Sequence, residues 1–244
     1  MTKALSKQEH NTAITTPSTP RLGFDNFDVS ELIVPRLRLL QALSESVSEG
    51  TGKAGEFQDS LSSELLGEEV EVVLLGMKNG AVYFETGEGL KCRSVDGRVS
   101  VNGDLCEQCP FGEYHGKFHE DGTPPKCASS KEFMSVTKGT IEGKEQRPLV
   151  ISFMKTSYKE GKKLASMAYL AGGNIFNRSY KLASVKDKND KGAFYIMKTS
   201  VGQALNQSEL AEATRWYNIL STSKVRVVGD EGQAANNEVV HDEV

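Results

Sequence analysis

The four cysteines of this chain, Cys92, Cys106, Cys109 and Cys127, all fall within one 36-residue stretch of its 244 residues. Cys106 and Cys109 form a CxxC pair. Such a turn lets two sulfurs converge on one ion, and four thiolates neutralise and enclose a zinc ion tetrahedrally. The other two cysteines are split around the pair, which is a less specific arrangement than two CxxC knuckles. Disulfides, inert thiols and an iron–sulfur cluster are the alternatives. A reducing cytosolic setting favours metal over disulfides. His115 and His119 lie between the last two cysteines and are substitute ligands or plain surface histidines. A complete thiolate set leaves no open coordination position, so the spacing predicts a structural zinc and not a catalytic one. A deaminase would need a His-x-Glu ahead of its Pro-Cys-x-x-Cys, and none precedes Cys106 here.

A second chemistry comes from charge. The formal net charge is −4, yet residues 131–228 hold 17 basic and 8 acidic side chains, residues 61–130 hold 6 and 12, and residues 229–244 hold five acids and no base. A basic segment of this kind points to an anionic partner. Within it, cations and rings interleave: Lys155, Tyr158, Lys159, Lys162, Lys163, Phe176, Arg178, Tyr180, Lys181, Phe194, Tyr195 and Lys198. Cations for phosphates and rings for bases are what sequence-tolerant single-strand binding requires. Phe176, Arg178 and Tyr180 recur at period two, which predicts one strand face. The plain reading of the same residues is core aromatics and solvated lysines.

Known catalytic signatures are missing. There is no Gly-x-x-x-x-Gly-Lys-Ser/Thr, no Gly-x-Ser-x-Gly and no His-Glu-x-x-His. The chain is expected not to be an enzyme, a zinc-dependent nuclease being the weakest alternative. No apolar run reaches the ~18 residues of a membrane span. The first ten residues lack an apolar signal core, so the expected location is the cytoplasm, the host's if the chain is phage-encoded.

The elements that must position these groups are mostly short strands. Residues 1–22 read as a disordered arm and 229–244 as a disordered acidic tail. A single domain is expected over 23–228, with the cysteine insertion at 86–130. Pro35 breaks any helix near 29–43, leaving a short helical turn and an extended 36–40. Residues 70–77 and 81–85 read as a hairpin turning at Asn79-Gly80. Further strands are expected at 131–138, 149–156, 175–186, 193–201 and 225–228. Helices are expected at 158–171, with Leu164, Met167, Ala168 and Ala171 inward, and at 208–220, capped by Ser208. The fold class is mainly β (α+β): an OB-like Greek-key barrel with a zinc-stapled insertion and two helices.

Several segments together resemble a group of phage and prophage proteins. They are Val34-Pro35-Arg36-Leu37-Arg38-Leu39-Leu40-Gln41, Cys92-Arg93-Ser94 with Asp96-Gly97, Cys106 and Cys109-Pro110, Pro124-Pro125-Lys126-Cys127, and Lys191-Gly192-Ala193-Phe194-Tyr195 followed by a helix. That group is similar to zinc-containing, OB-fold-like single-stranded DNA-binding proteins of phage replication, and the resemblance covers roughly residues 30–222. It implies that the four cysteines ligate zinc and that the basic strand–helix–hairpin region faces single-stranded DNA. Phage replication or transcription proteins are the further partners it implies. The competing expectation is a phage transcription cofactor or other interaction module docking through the acidic zinc insertion.

Overall fold

The computed structural model describes residues 27–28, 31–85, 89–94, 96–109, 126–138, 146–189, 192–222 and 226–227. The arm expected over 1–22, the tail over 229–244, His115 and His119 lie outside them. The described part is mainly β, with antiparallel sheets and three helices.

One strand organises the rest. β5 runs Glu69–Glu85, 17 residues without a turn, so the hairpin expected at Asn79-Gly80 does not form. Gly80 serves clearance instead: a Cβ there would stand 2.6 Å from Ser130 Oγ and 2.7 Å from the Ser94 carbonyl oxygen. The first half of β5 pairs with β9 (Arg178–Asn189), and its far half pairs on that same side with β6 (Gly89–Ser94). Its other side pairs from Val72 to Tyr83 with β7 (Cys127–Thr137). A register shift between Leu74 and Gly76 inserts Leu75 as a bulge, which bends the strand and adds twist. β10 (Gly192–Ala204) and β8 (Pro148–Met154) complete the sheet, in the order β10-β9-β5-β7-β8.

The sheet curls. Its edges β10 and β8 are four strand spacings apart, about 19 Å if flat. Yet helix α2 (Tyr158–Leu170) touches both, and so does the short strand β2 (Leu37–Leu39). An ordinary helix is only ~10 Å wide. The two edges do not pair with each other, so the closed Greek-key barrel expected from sequence is not present among the described residues. The gap is spanned by α2 and by the segment around Pro35, whose carbonyl accepts a bond from the Val150 N–H.

Each face is covered. On the concave side lie Val72, Leu74, Phe133, Ile151, Phe153, Tyr180, Leu182 and Met197, closed over by Leu164 of α2. The same core takes Leu37, Phe57 and Leu66 from a small sheet of β2, β3 (Phe57–Asp59) and β4 (Leu65–Gly67). On the convex side Val73, Leu75, Val136 and Val150 meet Ala213, Trp216 and Leu220 of α3 (Gln207–Thr222). Alternate residues of β5 thus feed two cores, as the pleat requires. Leu164, Met167 and Ala168 face the core as expected, whereas Ala171 is exposed.

Smaller corrections follow from local chemistry. The cap of α3 is Asn206, not Ser208. Its side-chain oxygen accepts from Glu209 N–H at 2.9 Å, and Glu209 accepts in return from Asn206 N–H at 2.8 Å, a reciprocal capping box. Ile33–Val34 forms strand β1, not a helical turn, and pairs in parallel with Arg226–Val227 (β11). A third short helix, α1, occupies Glu45–Ser48. The cysteine insertion over 86–130 contributes β6 and the start of β7.

Candidate nucleic-acid interface and metal centre

The four cysteines come from three pieces of chain. Cys92 on β6 and Cys127 on β7 both pair with Tyr83, one on each side of β5. Directly paired residues share a sheet face, so the two thiols flank the Tyr83 side chain. Cys106 and Cys109 sit on a 3₁₀ turn, Cys106–Gln108. This turn is folded back on β6 by bonds from Cys106 N–H to Arg98 O and from Val101 N–H to Arg93 O, both 2.8 Å. The four cysteines line one cavity of about 30 Å³ together with Ala81, Ser94, Ser100 and Asp104, enough for an ion or one to two water molecules. None is in a disulfide. Burial, then the neighbouring Cys92, Cys106 and Cys109 thiols, push the Cys127 thiol up to about 11. Burial and the Cys109 and Cys106 thiols raise Cys92 in the same sense. These are mutually repelling soft donors around a small space. A bound divalent cation would reverse that electrostatic logic. Among the described residues no three His, Cys, Asp or Glu side chains are already set to hold a metal ion. Ligation would therefore require the sulfurs to draw in further.

The cationic candidates divide. Lys159, Lys162 and Lys163 are exposed on α2, and Lys155 is exposed on the 3₁₀ turn Lys155–Ser157 that leads into it. Half-buried Tyr158 opens the helix, with Lys162 Nζ 5.1 Å from its ring centre. Lys198 of β10 joins this group through Glu160. The buried Glu160 carboxylate accepts from Lys198 Nζ at 2.9 Å, lies 3.5 Å from Lys163 Nζ, and accepts from Thr199 N–H at 3.3 Å. Burial raises the Glu160 carboxyl, but Lys198, the Thr199 amide and Lys163 outweigh it and hold the group below the ordinary carboxylate value.

Other candidates are elsewhere. Tyr180 is 1% exposed and Phe176 is 8% exposed, in the concave and convex cores respectively. The expectation that both stack on bases is corrected: β9 begins only at Arg178, so Phe176 lies in the turn before it and packs in the convex core, while Tyr180 faces the concave one. Arg178 is half-buried. Lys181 lies on the convex side, since it alternates with Tyr180 and Leu182, and Phe194 is half-buried on that side too. Tyr195 turns inward and is half-buried, its ring so close to Gly55 that a Cβ there would stand 2.6 Å away. Among the described residues the most exposed ring is one outside this set: Tyr169, in the last turn of α2, is 86% exposed.

The free edge of β10 is closed by side chains. Gln41 donates to Tyr195 O at 3.0 Å and accepts from Tyr195 N–H at 2.9 Å. Glu160 and Lys163 do the same for Thr199, the lysine donating to its carbonyl at 2.7 Å. Such capping blocks strand addition along those positions.

Comparison with known families gives a match to the Pam3 phage gp34-like protein profile over residues 6–226. The chain belongs to that family. The match spans the whole sheet and both long helices, and it supports a phage origin. No curated protein and no solved structure matches significantly. Among the described residues of this family member, no helix is long and apolar enough to cross a membrane.

Proposed function

We propose that this chain is a non-enzymatic single-stranded DNA-binding protein of phage replication or recombination. Its OB-like sheet is curved but left open, and Cys92, Cys106, Cys109 and Cys127 hold a structural zinc. The observation that carries the reading is the cluster of five exposed cations, Lys155, Lys159, Lys162, Lys163 and Lys198, about one end of α2. Glu160 is the acid within it, and Lys198 and Lys163 already engage that carboxylate. The cysteine cavity supports the zinc by its donor chemistry: four thiols from three chain segments around one ion-sized space. A closed thiolate site would brace the fold and leave no position for substrate.

Fluorescence anisotropy with a labelled oligonucleotide at several salt concentrations tests this. The chain should bind single strands with an affinity that falls steeply with salt. Replacing Lys159, Lys162 and Lys163 together with alanine should weaken binding at least tenfold at low salt. It should also flatten the logarithmic salt slope by about 2, at ~0.7 per lost phosphate contact. Absent or salt-independent binding by the unaltered chain rejects the proposal.

One observation favours a second reading, docking on a phage or host protein through the cysteine hairpin. Val99, Val101 and Leu105 are 41%, 45% and 43% exposed on it. Capture of a protein that survives nuclease treatment and is lost with Val101→Glu would carry that reading instead.

A further inference from the structure

We propose that Tyr169 is a base-stacking residue and that the bound strand runs along α2, from the lysines at its start to this ring at its end. The inference rests on the single-strand reading above and gives it a path and a residue. Positions three and four apart on a helix are neighbours. Tyr158, Lys162, Ala165 and Tyr169 therefore form one stripe, and Lys159, Lys163, Ser166 and Leu170 form the stripe beside it. Glu160, Gly161, Leu164, Met167 and Ala168 occupy the inward side, and Ala165, at the border of the first stripe, also packs against the core. Gly161 fixes how closely that side lies on the sheet, because a Cβ there would be 2.6 Å from Phe153 Cβ.

The outward stripes carry cations in the first two turns and apolar groups in the last. Tyr169 and Leu170 are 86% and 81% exposed, and the helix ends at Leu170, followed by Ala171 and then Gly172 and Gly173, both at positive φ. Tyr158 to Tyr169 spans about 16 Å of helix axis, the length of about five stacked nucleotides at ~3.4 Å each. An anionic polymer satisfies the lysines. One that also carries flat rings finds a partner for an aromatic side chain that no core covers. An acidic peptide would use the charges and leave the ring idle. Phe176 and Tyr180 are buried, so Tyr169 takes the place they were expected to fill.

The test uses the full chain and a labelled oligothymidylate. Tyr169→Ala should weaken binding about tenfold with the salt slope unchanged, since no phosphate contact is lost. On an oligonucleotide abasic throughout, the variant and the unaltered chain should bind alike. Tyr169→Trp gives a direct readout. The chain's one natural tryptophan, Trp216, is 5% exposed in the convex core, so quenching on addition of oligonucleotide reports the new side chain. Binding by Tyr169→Ala within twofold of the unaltered chain, with Tyr169→Trp emission unmoved, overturns the proposal while the lysine variants still support single-strand binding. Equal quenching by polyglutamate also overturns it, because the face would then read charge alone. Failure of the unaltered chain to bind any single strand removes the reading beneath it, and the lysine series shows that separately.

Discussion

Replacing Cys127 with serine is expected to release one zinc per chain and to open the cysteine hairpin while the rest of the fold persists. The reason is the distribution of apolar burial. The hairpin over residues 96–109 has no core of its own: its valines and leucine face solvent, and Ser100 and Cys106 are its buried side chains. Beneath it lies a cluster of only Ala81, Tyr83 and Cys127, with Cys92 packed against them. Backbone bonds to β6 guide the hairpin but cannot hold it against the entropy of a free loop. A metal bound to four thiolates supplies that stability directly, because ligation and local folding are one equilibrium. The two large cores share no residue with this cluster, so their unfolding should change little. The checks are elemental analysis, thiolate-to-metal absorption after cobalt substitution, and limited proteolysis. Chelation or Cys127→Ser should accelerate cleavage within 96–109 on the order of 100-fold, the effect of a ligand at ~100 times its dissociation constant. Metal-free protein with equal protease resistance would defeat the zinc assignment. Cys106→Ser should act in the same way, since its sulfur reaches the cavity from a different segment.

Spacing suggested that the four cysteines belong together, and they do line one cavity. What spacing could not show is that two of them flank a single tyrosine of the central strand. The helix over 158–170 was legible too, its inward positions set by helical period. The strand pattern misled in two places. Asn79-Gly80 has turn chemistry, but Gly80 is there to admit Ser130 and the Ser94 backbone in a continuous strand. Phe176 and Tyr180 share a period of two, but Phe176 sits in the turn before β9 and packs in the convex core, while Tyr180 is on the strand and faces the concave one. Helical period puts Tyr169 away from the inward positions of α2, but it does not by itself show how far the ring is exposed at the helix end. Barrel closure was equally illegible: it depends on which strand edges meet, and here α2 and the segment at Pro35 stand between them.

Glu132→Ala should be the most destabilising single change outside the apolar cores. Glu132 on β7 is 7% exposed, and its Oε1 bonds the guanidinium of Arg93, itself 6% exposed, on β6. The same oxygen lies 3.8 Å from Arg36 Nη1, and that nitrogen also donates to Ser152 Oγ at 2.8 Å. The carboxylate thus ties the strand bearing Cys92 to the segment after Pro35 that helps close the sheet. Gly80 leaves room beside this carboxylate, since a Cβ there would stand 2.6 Å from Ser130 Oγ and 3.7 Å from Glu132 Oε1. Burying charges is costly, so the pair as a whole adds little net stability. Removing one member is different: breaking a buried pair by deleting one partner costs about 3–5 kcal/mol. For a chain of this size that is a fall in melting temperature on the order of 10 °C. Glu132→Gln keeps the shape and loses the charge, and should cost nearly as much if electrostatics decide. Exchanging Glu132 and Arg93 together for apolar residues of similar volume should recover most of the loss. Calorimetry on the four proteins reads this directly. A Glu132→Ala shift under ~2 °C, or a double variant no better than the single, would show that the buried charges contribute nothing to joining these segments.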